Sequence, residues 1–352
     1  MPMMTAQVMS KTPSFTNFLP ASSVIMTDAG LDQGSRTFIP VPRAAVTAAQ
    51  GSKRYMEDMH AVLDDISEEM SEHGLESDER ASVFAVYDGH GGEYAAEFVR
   101  DNMLANILRQ ESFHADRENA LRQGFLQTDK DLKIDTADNG EDASGTTSLV
   151  TLLLGRKLYC ANAGDCRAVL CKRGMAVDLS VDHKPSSESE SRRIEASGGF
   201  VDSEGYVNGA LSVSRVLGDF HLDMKNDHPD EQPGALTAEP DVTVRVLSRD
   251  DEFMILASDG LWDVFNSQNA VELARESLRM HNDPAKCSRD LVEEALRRNS
   301  VDNVTALVVC FSEDPPPKRQ YKSEHDLGVK RTMSMEGLSS LKKALDSYVE
   351  EN

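Results

Sequence analysis

The stretch that most constrains the fold is residues 83–92, VFAVYDGHGG. Five β-forming residues, Val83 to Tyr87, run straight into Asp88-Gly89-His90-Gly91-Gly92. A buried strand ending in a carboxylate and then in glycines delivers a charge to the sheet edge and frees the backbone to turn there. The same device recurs downstream. FMILAS, residues 253–258, runs into Asp259-Gly260, and Asp302-Asn303 directly precedes the apolar run VTALVVCF, 304–311. Strand ends that each carry an aspartate predict a carboxylate cluster assembled from distant parts of the chain. Like charges a few ångströms apart raise one another's pKa, so such a cluster calls for cations. The pattern points to a metal site suited to phosphate chemistry.

Composition narrows the class. Apolar residues make up 39 % and charged residues 28 % of 352 residues, as in globular chains of one large or two ordinary domains. No apolar run is long enough to cross a bilayer, so membrane partners are not expected. A net charge of −23 argues against a nucleic-acid binder. From Pro315 onward there are seven basic and six acidic side chains, so the acidity belongs to the globular part. The five cysteines (Cys160, Cys166, Cys171, Cys287, Cys310) form no CxxC pair, and several lie in strand-like apolar contexts. Together with the lack of a signal peptide, this predicts a reducing, intracellular setting, cytoplasmic and/or nuclear, with organelle targeting left open.

Residues 1–44, rich in Ser, Thr, Pro and Met, read as a disordered leader; the tail 313–352 reads as mostly disordered; the domain is expected over 45–312. Two strands are expected at its start, then a polar loop over 67–80. Apolar stripes over 92–110 and 116–136 predict two amphipathic helices. TTSLVTLLL, KLYCANAG and CRAVLCKRG, split by Gly155-Arg156 and Gly164-Asp165, predict an antiparallel meander. Residues 187–199 read as a charged helix closed by glycines. The irregular stretch 200–240 is long enough to suggest function. Two further helices follow FMILAS, the second capped by Asp283 before Pro284. Helices in an early and a late pair, with strands between and around them, predict an α+β fold: a four-layer α-β-β-α sandwich of two antiparallel sheets flanked by helix pairs.

Glu57 and Asp58 precede the opening strand, next to Lys53-Arg54, and Asp165 sits inside the meander. With Asp88, Asp259 and Asp302 they form an all-oxygen set at turns and strand ends. No histidine-cysteine ligand cluster accompanies them, so hard ions, Mg2+ or Mn2+, are favoured over zinc. Two such ions ~3.5–4 Å apart can make a hydroxide nucleophile at neutral pH. Lys53 or Arg54 could hold the phosphate, and His90 could protonate the departing alkoxide. Taken singly, an Asp-Gly pair is most often a turn, and Lys53-Arg54 would be solvated surface. The conjunction carries the reading.

The stretches RYMED, VFAVYDGHGG, ASGTTSLVTLLLGRKLYCANAGDCRAVL, DHKPSSESESRRIEASGGFV, ALSVSRVLGD, ASDGLWDV and DNVTALVV, in this order, resemble the metal-dependent protein serine/threonine phosphatases, the protein phosphatase 2C family. The run from His281 to the Pro315 region is similar to plant-type members. The resemblance implies a β-sandwich flanked by helices with a binuclear Mn2+/Mg2+ centre at one end. It implies Asp88 as bridging ligand and the Gly89 carbonyl as a donor, with Asp259 and Asp302 completing the other site. Glu57 and Asp58 would act directly or through waters, Asp165 would support a weaker third ion with Asp259, and His90 would be the general acid.

The family commonly carries arginine five residues before the MED aspartate; here that position is Lys53, a point charge without the bidentate fork. A weaker phosphate grip, or compensation by Arg54, is expected. Residues 182–233 correspond to the family's variable flap. Members that serve as abscisic acid co-receptors insert a flap tryptophan into the hormone receptor; the only tryptophan here is Trp262, in DGLWD, so coupling of that type is not expected. The implied partners are phosphorylated proteins acted on by a monomer, and the spacing Lys330-Arg331-Thr332-Met333-Ser334 suggests a kinase site at Ser334. A catalytically inactive phosphoprotein-binding regulator and a hydrolase of small phosphoesters are the alternatives.

Overall fold

Strand β3 (Ala81–Tyr87) is buried along its whole length, and the reason is its position between two layers of partners. Phe84 and Val86 point into a core shared by two sheets, while Val83, Ala85 and Tyr87 face helices on the other side. An apolar run without alternation is what burial on both faces of a sheet demands.

This computed structural model describes residues 38–318, except 76, 78, 140–142 and 223–233. The chain separates into a unit ending at Pro316 and a second, Pro317–Asn352, described only at its first two residues. Most of the expected leader, the tail with Ser334, and flap residues 223–233 lie outside the described residues.

The elements in chain order are β1 (Arg43–Ala49), β2 (Met59–Leu63), α1 (Ser67–Glu72), β3, β4 (Gly89–His90), α2 (Tyr94–Leu108) and α3 (Arg117–Asn139). Then come β5 (Gly145–Thr146), β6 (Ser148–Leu154), β7 (Lys157–Ala163), β8 (Arg167–Lys172), β9 (Met175–Asp178), α4 (Glu188–Ala196) and β10 (Leu217–Gly218). The last are β11 (Asp241–Val246), β12 (Asp251–Ala257), α5 (Asp259–Trp262), α6 (Ser267–His281), α7 (Pro284–Arg297) and β13 (Val304–Cys310).

One five-stranded sheet runs β1-β13-β12-β8-β9, the other β11-β7-β6-β3-β2, and a small sheet runs β10-β5-β4. All the strand pairs are antiparallel. Phe84, Leu149, Leu158, Met254, Leu256, Leu307 and Val309 fill the space between the two large sheets. The outer face of the β3 sheet packs on α2 and α3 through Val99, Met103, Leu121 and Phe125. The outer face of the β12 sheet packs on α6 and α7 through Val271, Leu278, Leu291 and Val292. The α-β-β-α layering expected from the helix pairs is the observed one.

Local signals explain the helix ends. Asn266 caps α6 by accepting from Asn269 N–H at 2.8 Å, and Asn282 closes it in the left-handed region. Asp283 caps α7 through Ala285 N–H at 2.9 Å, with Pro284 opening the helix. Trp262 is buried, and its indole N–H donates to Ala257 O at 3.0 Å, a packing position.

Two expectations are corrected. Residues 67–80 are not all loop: Ser67–Glu72 is helical, because Met70 joins Ile66 and Leu75 in the core. The meander also breaks after β7. β6 and β7 form a hairpin, but β8 pairs with β12 and β9 in the opposite sheet. Gly164-Asp165 is therefore a crossover between sheets. Gly164 has φ +121°, and a Cβ there would lie 2.5 Å from Thr147 Cβ, so only glycine passes this close.

Candidate active site at one end of the sandwich

The register brings distant strand ends together. Met59 at the start of β2 pairs with Tyr87 at the end of β3, and Ser148 at the start of β6 pairs with Ala163 at the end of β7. In the facing sheet Ala257, ending β12, pairs with both Ala306 of β13 and Arg167, which opens β8. Hence Asp58, Asp88, Asp165, Asp259 and Asp302, each one or two residues beyond such an end, lie at the same pole.

There the carboxylate oxygens of Asp88, Asp165 and Asp259 lie within 4.8 Å of one another. Asp88 is held through its backbone: its N–H donates to Thr147 Oγ1 at 3.2 Å and its carbonyl accepts Thr147 N–H at 2.9 Å. Asp165 rides on the crossover. Asp259 opens α5, where Gly260 is obligatory because a Cβ would come within 1.9 Å of Asn303 O. Asp58 is buried and accepts from Ser258 Oγ at 2.8 Å and Thr305 Oγ1 at 2.7 Å, both on Oδ2. Its Oδ1 is buried without a hydrogen-bond partner.

Electrostatics reports the crowding. Burial, then the charges of Asp58, Asp259, Asp165 and Asp302, push Asp88 well above the usual carboxylate range. Asp259 rises to about 7, through burial first and then Asp165, Asp263 and Asp302, opposed by Lys184. Burial raises Asp58 as well, against its bonds from Thr305 and Ser258. An all-oxygen donor set with mutual repulsion and an unpartnered buried oxygen fits hard divalent cations.

The remaining sequence-predicted residues surround this centre. Glu57 Oε1 accepts Gly92 N–H at 2.7 Å, and Glu57 N–H donates to Asn303 Oδ1 at 2.8 Å. Gly89 is buried, with no room for a side chain: a Cβ would approach Glu57 O to 2.5 Å. Lys53 Nζ pairs with Asp302 Oδ1 at 2.9 Å, a bond that raises the lysine pKa. The exposed Arg54 lies over the Tyr55 ring, 5.0 Å from its centroid. His90 Nε2 is 2.6 Å from Asp219 Oδ2.

Four neighbours escaped sequence reasoning. Asp219, buried and in the left-handed region, partners His90. Asn303 uses its whole amide to pin the 50–57 loop, donating to Gln50 O at 2.8 Å and Tyr55 O at 3.0 Å besides accepting from Glu57. Lys184 pairs with Asp165, and Asp263 feels the same field. All four lay in stretches already notable, ALSVSRVLGD, DNVTALVV, the DHKP run and ASDGLWDV, but the contacts they make are remote in sequence.

Convergent carboxylates at the pole of a β-sandwich, with a histidine held by a buried acid beside them, are the arrangement expected of a metal-dependent hydrolase. The sequence profile described as Protein phosphatase 2C matches residues 43–304. A probable protein phosphatase 2C 57 of Oryza sativa subsp. japonica is 46 % identical over 315 residues, 89 % of this chain and 83 % of that protein. A probable protein phosphatase 2C 27 of Arabidopsis thaliana is 46 % identical over 311 residues, 88 % of this chain and 79 % of that one. Among solved structures, a serine-threonine phosphatase 2C from Toxoplasma gondii aligns with TM-score 0.65 at 24 % identity, over 78 % of this chain and 98 % of that chain. The chain belongs to the protein phosphatase 2C family and is a protein serine/threonine phosphatase.

Proposed function

We propose that this phosphatase hydrolyses phosphoserine and phosphothreonine by direct attack of water, without a phosphoenzyme, using the pole of the sandwich as a binuclear site for Mn2+ or Mg2+. When bound, the ions supply an activated water and neutralise the phosphoryl charge. Asp88, with the Gly89 carbonyl, Asp259 and Asp302, would hold them, Glu57 and Asp58 would support them directly or through water, and Asp165 would serve a weaker third ion. Lys53 or Arg54 grips the phosphate at the rim, and His90 donates the proton that the departing alkoxide needs. The observation that carries this reading is the convergence of Asp88, Asp165 and Asp259 within 4.8 Å.

The test is phosphate release from phosphothreonine peptides with Mn2+, with EDTA, and with Asp88→Asn in Mn2+. Activity is expected only in the first. Full turnover in chelator or in the variant would end the account. In the same assay, Lys53→Ala or Arg54→Ala is expected to raise KM with kcat little changed, and the variant that leaves KM unmoved is not the phosphate ligand.

A further inference from the structure

Besides Lys53 on Asp302, a second cation of the chain stands in the carboxylate cluster. Lys184 Nζ is ion-paired with Asp165 Oδ2. Asp165 is only 3 % exposed, so water competes little for it. Burial first, and then neighbouring carboxylates, raise the pKa of Asp259 and of Asp263, and the Lys184 charge opposes that rise in both.

Lys184 is not a wandering surface side chain. The preceding residue, His183, clamps the crossover from both sides: its N–H donates to Gly164 O at 2.9 Å, and its Nδ1 accepts Gly164 N–H at 3.2 Å. Ser214 in turn holds the His183 carbonyl with both N–H and Oγ, each at 3.0 Å. The Lys184 backbone is thus fixed against Asp165 by hydrogen bonds that do not involve the ion pair.

Building on the metal reading above, we infer that Lys184 is a tethered cation that competes with a divalent ion for Asp165, and so sets how weakly that corner of the site is filled. A divalent ion reaching Asp165 must displace an ammonium already in contact. At such range opposite charges attract even at an effective dielectric of about 20, less so where water screens the partly exposed ammonium, and a doubly charged ion is attracted more strongly. Because the ammonium is held by its own backbone, its local concentration does not fall on dilution. Asp88, Asp259 and Asp302 make no ion pair with Lys184, so ions held there are not opposed by direct contact with it.

The experiment is Mn2+ binding to the full chain by titration calorimetry, with free Mn2+ followed by electron paramagnetic resonance. Lys184→Met and Lys184→Gln are expected to leave tight Mn2+ binding unchanged and to strengthen the weakest step about tenfold or more. Lys184→Arg, which keeps the charge, should bind as the parent does. Adding Asp165→Asn to Lys184→Met should remove the gain. A thermal melt of each variant confirms that it is folded, and either neutral variant suffices if the other is not. Unchanged weak binding in a folded neutral variant overturns the inference while intact tight binding leaves the metal reading standing. A raised KM for phosphopeptide with unchanged Mn2+ binding also overturns it and makes Lys184 a phosphate contact instead. A parent protein that binds no Mn2+ overturns both.

Discussion

His90 presents one ring nitrogen to the buried Asp219 carboxylate at 2.6 Å, which sets the ring's orientation; in the proposed general-acid role Nδ1 would serve the substrate. Substitution at Gly145 would crowd this pair, since a Cβ there would lie 2.2 Å from Asp219 Oδ2. Serine and threonine alkoxides leave poorly without a proton, whereas a nitrophenolate leaves unaided. Asp219→Asn is therefore expected to lower kcat on a phosphothreonine peptide ~10–100-fold, a part of what a general acid contributes, yet to change p-nitrophenyl phosphate hydrolysis little. Equal losses on both substrates would reduce Asp219 to a folding residue. At this scale legibility divides sharply. Asp88, Asp259 and Asp302 could be read because each stands beside its own strand, so local sequence announces both the residue and its place. Asp219 lies 129 positions from His90, and a lone Gly-Asp pair carries no mark of that partner.

The crossover at Gly164-Asp165 shows why element boundaries were legible and sheet membership was not. β7 and β8 are both short apolar runs split by a turn-like pair, and a two-residue break reads as a hairpin. What separates them is tertiary: Thr147 presses on Gly164, and His183 takes up both its backbone groups. The same crossover carries Asp165 to the pole, so misplacing β8 also hid why that aspartate belongs to the site. The segment that follows is anchored by Glu190 on α4, which accepts from Arg215, Arg193 and Ser214. Burial works against Glu190 ionisation, but the Arg215 bond and charge, with Arg193 and Ser214, prevail and bring its pKa from 4.5 to about 2. A depressed carboxylate stabilises fully above its unfolded pKa, and the contribution is lost as pH falls through the folded value. The difference in urea unfolding midpoint between the parent and Glu190→Gln should thus be large at pH 7 and shrink from about pH 4.5 toward 2. A difference independent of pH would mean that shape, not charge, makes Glu190 matter.

Across the whole molecule, a small part of the acidity converges on one pole, where Lys53 and Lys184 offset only some of it. With a net charge of −23 and several carboxylates facing one another at a single pole, the metal-free fold carries a repulsion that nothing in its hydrophobic layers relieves. Three cores, one between the sheets and one beneath each helix pair, hold the strand ends in place against it. This architecture was legible because helix pairs and double-faced strands leave few layer orders open. Its consequence is that stability and metal content must be linked. Ions that bind only the folded state add about 2.7 kcal/mol at a hundredfold excess over their dissociation constant. For a domain of this size that is a rise in Tm of roughly 5 °C or more over the same protein in EDTA. Asp88→Asn should invert the pattern. Removing a buried charge that its neighbours oppose should leave the EDTA form at least as stable as the parent, while the Mn2+-induced rise largely disappears. Differential scanning fluorimetry on both proteins, with Mn2+ and with EDTA, reads all four states. A parent whose melting ignores Mn2+, or a variant that keeps the full rise, would show that the carboxylate pole is not where cation binding and folding meet.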